Sequence, residues 1–318
     1  MDVRDTRMRT RKFIELRLLV GVTALATALA ASDARSDAPR PVTPDSDAAG
    51  FAAVYGTLPQ DQVEFLSTPA AIKSAAASGA PSLVWEVLEH GEKVECLTCI
   101  GAVAPLLYDA NAKTREIAAW WLRRRILGVF GPGEVYQQTV QTLQSDPNAT
   151  RRADAAYALG EFFATPGIAA CAVALSDSSA IVRAAAASAL GRLNSDGNGA
   201  LATAFGDSDP SVKLAALAAA SRINAFSGVS KLAALTMDPD SAVRRRAVEV
   251  IDALQVFDAV AIVTMVAQTD ADPGVRAAAC HALGSIGAAS LVPILQSIVR
   301  TDSNGFVRDQ AQIALLRI

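Results

Sequence analysis

A chain of 318 residues with 29 basic and 32 acidic side chains carries a net charge of −3, without the basic surplus that a nucleic-acid binder sets against phosphates. It is 51% hydrophobic, rich in alanine and leucine, and only 5% aromatic, the balance of an all-helical soluble protein. With only two histidines, His90 and His281, far apart along the chain, no Ser–His–Asp arrangement can be placed.

Residues 1–30 read as a signal peptide. Arg4, Arg7, Arg9, Arg11, Lys12 and Arg17 form a basic leader, and an apolar run follows from Leu18 to Ala31. That run is too short to span a bilayer comfortably, which disfavours an uncleaved anchor helix. Ala28-Leu29-Ala30 supplies the small-residue cleavage pattern, so a cut after Ala30 and export are expected, most simply to a bacterial periplasm. Processing removes six basic and three acidic residues and leaves a net charge of −6. No stable membrane insertion is expected after processing. Residues 31–50, rich in Asp, Pro, Ser and Ala, read as a disordered linker. Residues 51–95 are helical in pattern (61–66, 70–77 and 82–88) but follow no repeat, and form an N-terminal helical cap.

Cys96-Leu97-Thr98-Cys99 opens the next segment. In an oxidising compartment the pair fits a structural disulfide, while a thiol near a helix start also fits a redox-active dithiol. Metal binding would need more ligands than two cysteines and His90 supply. Ile100 stands where haem attachment needs histidine. Cys171 and Cys280, on Ala-rich helical stretches, read as buried apolar residues.

From 96 to 318 one unit recurs seven times. Asp109, Asp146, Asp177, Asp207, Asp238, Asp270 and Asp302 each precede by six residues a basic residue: Arg115, Arg152, Arg183, Lys213, Arg244, Arg276 and Arg308. An alanine follows each basic residue by three, and the basic residues lie 37, 31, 30, 31, 32 and 32 apart. A period in this range marks a solenoid. Four residues before each basic residue stands Asn, Ser or Asp, the side chains that cap a helix start. Pro210 and Pro273 follow two of these caps, at the position where a missing N–H costs nothing. The apolar stripe after the cap, for example Ala186, Ala189, Leu190 and Leu193, has helical spacing, and a second apolar stretch precedes each Asp. Each unit is thus a helix pair that buries its face only by stacking on its neighbours.

The unit seen as Asp177–Gly191 and Asp270–Gly284 resembles the HEAT repeat, most closely the PBS-lyase HEAT-like variety, from about Cys99 to Ile318. The resemblance implies an all-α, right-handed α-solenoid of about seven helix pairs behind the cap. It also implies a structural ladder of the fourteen repeated Asp and basic residues between neighbouring repeats. HEAT-like metal hydroxylases hold iron through His-Glu pairs, but His90 and His281 are followed by Gly91 and Ala282, so that ligand set is missing. No cofactor, metal or enzymatic activity is expected, and the repeat alone does not imply lyase activity.

Protein binding is the expected function. The fifth residue after each basic one maps the exposed side of the second helices, and reads Trp120, Tyr157, Ser188, Ala218, Glu249, His281 and Ile313. Its aromatic end lies beside Arg123 and Arg124, and Trp, Tyr and Arg are favoured at interface hot spots. The alternative for Trp120, Trp121 and Phe130 is packing of the cap on the array. Candidate binding residues are therefore Trp120, Arg123, Arg124, Tyr157 and His281. The 37-residue spacing leaves a longer loop at Gly128–Gly133, and insertions often fall on binding faces. The chain ends within the second helix of repeat seven, which suggests a homodimer through that repeat. Other readings are a thiol-disulfide helper using Cys96 and Cys99, and an inert spacer.

Overall fold

The computed structural model describes residues 68–318, less residues 129–130, 194–197 and 224–225. The leader, the linker and residues 51–67 of the cap lie outside that range, as does Phe130. The described part of the cap is two helices, α1 (Pro69–Ser78) and α2 (Pro81–His90), each with proline in its first turn. Thr68 caps α1, its hydroxyl accepting the Ala71 N–H, and Gly79 ends it at φ 67°.

Seven helix pairs follow. Repeat one joins α3 (Leu97–Val103), extended by a 3₁₀ turn to Tyr108, to α4 (Ala112–Leu122). Repeat two joins α5 (Glu134–Ser145) to α6 (Ala149–Glu161), and repeat three joins α7 (Gly167–Ala174) to α8 (Ala180–Leu193). Repeats four and five join α9 (Asn198–Ala204) to α10 (Pro210–Ala220) and α11 (Val229–Ala234) to α12 (Ser241–Ala253). Repeats six and seven join α13 (Val260–Thr269) to α14 (Pro273–Ile286) and α15 (Val292–Thr301) to α16 (Gly305–Arg317). The insertion between repeats one and two adds a two-residue antiparallel ladder, β1 (Leu127–Gly128) on β2 (Gly131–Pro132), which the sequence pattern did not show. The seventh second helix has 13 residues and runs to Arg317.

The alanine three residues after each basic one is fully buried in all seven copies: Ala118, Ala155, Ala186, Ala216, Ala247, Ala279 and Ala311. Contact between consecutive second helices depends on a different position, eight residues after the basic one. There Gly160, Gly191 and Gly284 meet Ala189, Ala219 and Ala314 of the following helix. A Cβ added to them would lie 2.9, 2.6 and 2.7 Å from the facing Cα. A glycine with no Cβ lets backbone touch backbone at these three joints. Arg123, Ser221 and Asp252 hold the equivalent position at the other three joints, and those second helices pack less closely.

Candidate protein-binding surface

The repeated charges do two local jobs and one long-range job. Each Asp turns the chain into the next helix, its Oδ1 accepting the N–H two residues on, at 2.7–2.9 Å in all seven repeats. The capping side chain then accepts further helix N–H groups, as Asn148 does from Thr150 and Arg151. In six repeats the arginine Nη1 donates to the carbonyl of its own repeat's Asp, at 2.7–2.9 Å.

The rest of the fork crosses to the following repeat. Arg152, Arg183, Arg244 and Arg276 clasp Asp177, Asp207, Asp270 and Asp302 with both Nε and Nη2. Lys213, a point charge, reaches Asp238 at 2.5 Å. The first joint differs. Arg115 turns to Asp154, at 3.0 Å, while Asp146 pairs with Arg151 of its own repeat. Hydrogen bonds from Arg152, Arg183 and Arg276 hold the carboxyls of Asp177, Asp207 and Asp302 below the ordinary carboxylate range.

Cys96 and Cys99 form a disulfide around the first turn of α3, with Cα atoms 5.2 Å apart. The Cys96 sulfur accepts the Cys99 N–H at 3.1 Å, and the two residues are 7% and 0% exposed, which shields the bond from an incoming thiolate. Among the described residues no cluster of three metal-binding side chains forms, so His90 does not join the pair as a ligand set. The buried Cys171 and Cys280 are free thiols, each pushed up to about 12 by burial.

Just before the disulfide, the turn 91–94 is clamped by two residues of repeat one. Trp121, fully buried, donates its Nε1–H to the Gly91 carbonyl at 3.0 Å. The Arg125 guanidinium lies 3.7 Å from the centre of the Trp121 ring. It donates to the Trp121 and Val94 carbonyls at 2.6 and 3.0 Å, and to the Glu92 carbonyl. Burial lowers the guanidinium from its ordinary value. Nothing in the sequence singled out Arg125 within its basic triplet, because the cap carbonyls it holds, those of Glu92 and Val94, lie more than thirty residues away.

Trp121 therefore packs the cap, while Trp120 beside it keeps part of its surface exposed. Trp120 and Tyr157 are half-buried and flank a cationic and aromatic cluster. Arg123 sits 5.9 Å from the Trp120 ring centre and 5.5 Å from that of Phe163, at the end of α6. Arg192 of repeat three lies 5.3 Å from the Tyr157 ring and pairs with Glu161. Burial and a hydrogen bond to Glu161 push the Tyr157 hydroxyl upward. Arg124 pairs with Glu92 of the cap at 2.9 Å.

Phe163 was not expected here. The residue is 52% exposed and its backbone is left-handed at φ 51°, a conformation that costs a non-glycine residue energy. The matching residues eleven after the basic position are Gln255 at φ 53° and Gly287 at φ 69°. Comparing the repeat copies position by position would have flagged a phenylalanine where another copy ends in glycine.

His281 lies apart from the aromatic end, between repeats five and seven. Its Nδ1 is 3.0 Å from Asp252 Oδ2, and Arg317 Nη1 is 3.0 Å from its Nε2. An Nε2 that accepts from arginine assigns the proton to Nδ1, donated to Asp252. Its two ring partners are a carboxylate and a guanidinium, and the arrangement is a bridge across three repeats. On the opposite side, between the first helices α3 and α5, a groove of about 910 Å³ is lined by residues that include Leu97, Ile100, Tyr108, Gln138 and Arg151.

Residues 229–316, covering α11 to α16, match the family model for HEAT repeats. That stretch of the chain is built of HEAT repeats. YibA of Escherichia coli has a similar fold, at TM-score 0.53 and 15% identity, over 87% of this chain and 99% of that one. Human deoxyhypusine hydroxylase aligns at TM-score 0.36 and 17% identity, over 81% of this chain and 96% of its own. The CpcE–CpcF complex of phycocyanin lyase from a Nostoc species aligns at 0.38 and 18%, over 68% and 93%. No curated protein matches the chain in sequence. The HEAT fold suggests a scaffold for protein interaction, since stacked helix pairs offer an extended surface.

Proposed function

We infer that this chain is an exported scaffold that binds a partner protein through its second-helix surface, centred on Trp120, Tyr157, Arg123 and Phe163. One observation carries the reading: Phe163, a large apolar residue, stays about half exposed on a left-handed backbone that a glycine would hold without strain. Backbone strain and an exposed apolar residue both count against stability, so their joint presence beside Trp120 favours a surface kept for contact. Every member of the mapped row retains exposed surface, which makes the second helices accessible along the array. The disulfide supports an oxidising compartment. The buried sulfurs favour a structural role for Cys96 and Cys99 over work on another protein's thiols.

Capture from envelope extract with the processed chain tests the proposal. A partner retained by wild type and by Ile313→Ala, but lost by Trp120→Ala, is expected. Equal capture by all three would remove the aromatic end from the function. A partner trapped only by Cys99→Ser and released by reductant would move the function to thiol chemistry. Mass spectrometry of the secreted chain should show the loss of residues 1–30, and a full-length chain in the membrane fraction would overturn export.

A further inference from the structure

The arginines of the aromatic end differ in what they have left to offer. Arg124 is taken by Glu92, Arg192 by Glu161, and Arg125 by backbone carbonyls. Arg123 has no carboxylate among the described residues. It is held by aromatic rings of two different repeats, Trp120 and Phe163. A guanidinium attracted to ring faces keeps its in-plane N–H groups for an acceptor, and that planar fork matches a carboxylate.

Its place in the repeat supports the same conclusion. The position eight residues after the basic one is glycine in repeats two, three and six, where it closes the joint. In repeat one the longest polar side chain stands there instead, at a joint with looser packing, and reaches across to the end of repeat two. Resting on the reading of this face as a binding surface, we propose that Arg123 receives an acidic side chain of the partner. That Asp or Glu is flanked by an apolar residue lying on Trp120 and Phe163. The partner segment is acidic and apolar, and Arg123 sets its register.

The test uses the processed full chain and two short rhodamine-labelled peptides, acetylated and amidated so that neither has a terminal carboxylate. One alternates Glu with Leu and Phe, and the other has Gln for every Glu. Fluorescence anisotropy should show the Glu peptide binding about tenfold more tightly or better, the scale of one charge-assisted contact. Arg123→Gln should abolish that preference, and Arg123→Lys should keep part of it. Phe163→Gly should weaken binding while the melting midpoint stays or rises, which separates a contact role from a structural one.

Equal binding of both peptides, or an Arg123→Gln chain that still prefers Glu, would overturn the acidic partner and leave the surface standing. Peptide binding untouched by Trp120→Ala would remove the surface itself. No binding of the Glu peptide at any soluble concentration would also reject the proposal.

Discussion

The joint between repeats three and four and the joint between repeats one and two use the same register position in opposite ways. At the first, Gly191 has no side chain, and Ala219 of the next helix seats against its backbone. At the second, Arg123 fills the position with a long cation that leaves the joint and gathers Trp120 and Phe163. Asp252 does likewise at the joint between repeats five and six, reaching His281. A solenoid can thus spend one position on closing a joint or on furnishing a surface, and this chain does each at different places along its length.

The largest expected effect is at the closed joint. Gly191→Leu should cost about 3 kcal/mol, because even a Cβ would lie 2.6 Å from Ala219 Cα. Ser221→Leu, at the equivalent position of a looser joint, should cost clearly less. Equal losses in denaturant melts would refute the contrast. Ala186→Leu, at the fully buried position three residues after Arg183, should cost roughly 1–3 kcal/mol.

Next in size is the ladder that runs past both kinds of joint. Asp177→Ala leaves the fork of Arg152 without its acceptor and should cost about 2 kcal/mol, measured by urea unfolding. The pH dependence has a definite sign. The carboxyls of Asp177, Asp207 and Asp302 are lowered in the folded chain, so their contribution is complete above the ordinary carboxylate range. It is lost as pH falls below about 4 and through the lowered values. The acid limb of a melting-point profile should flatten in Asp177→Ala, and an unchanged limb would show that the pair does not contribute.

Opening the disulfide in Cys96→Ser/Cys99→Ser should cost about 2 kcal/mol, because the closed loop is short. Loss of the whole array's cooperative melt on reduction would show that the cap governs more than its own joint. The smallest effect has the opposite direction. Phe163→Gly and Gln255→Gly should each stabilise by up to about 1 kcal/mol, since glycine holds positive φ without strain. Only the first should weaken binding. A loss of stability in Phe163→Gly would mean that the ring packs the repeat rather than serving contact.

Much of this architecture was legible because its signals are local. The Asp, the capping residue and the basic residue lie within six positions of one another, and the turn they build is the same in every copy. The buried alanines and the helix starts follow from that register. The glycine interlock was only half legible. Gly191 and Gly284 closed the recognised unit, but that they face Ala219 and Ala314 depends on how one helix sits on the next.

At the candidate site, Trp120, Tyr157 and Arg123 were found because they share a helical face with the repeat register. Phe163 and Arg192 were not, since neither stands at the mapped position of its repeat: Phe163 lies past the end of α6, and Arg192 lies nine residues after Arg183. Adjacent tryptophans on one helix cannot be told apart by spacing when either could face the cap. The sequence by itself determined the period, the helix pairs, the caps and the charged turns, since these rest on interactions within one repeat. Only the tertiary structure decided which tryptophan is buried, which carboxylate Arg115 takes, and which arginine is left without one. Those outcomes depend on side chains meeting across joints from residues thirty or more positions apart, where close packing and charge pairing select one partner among several.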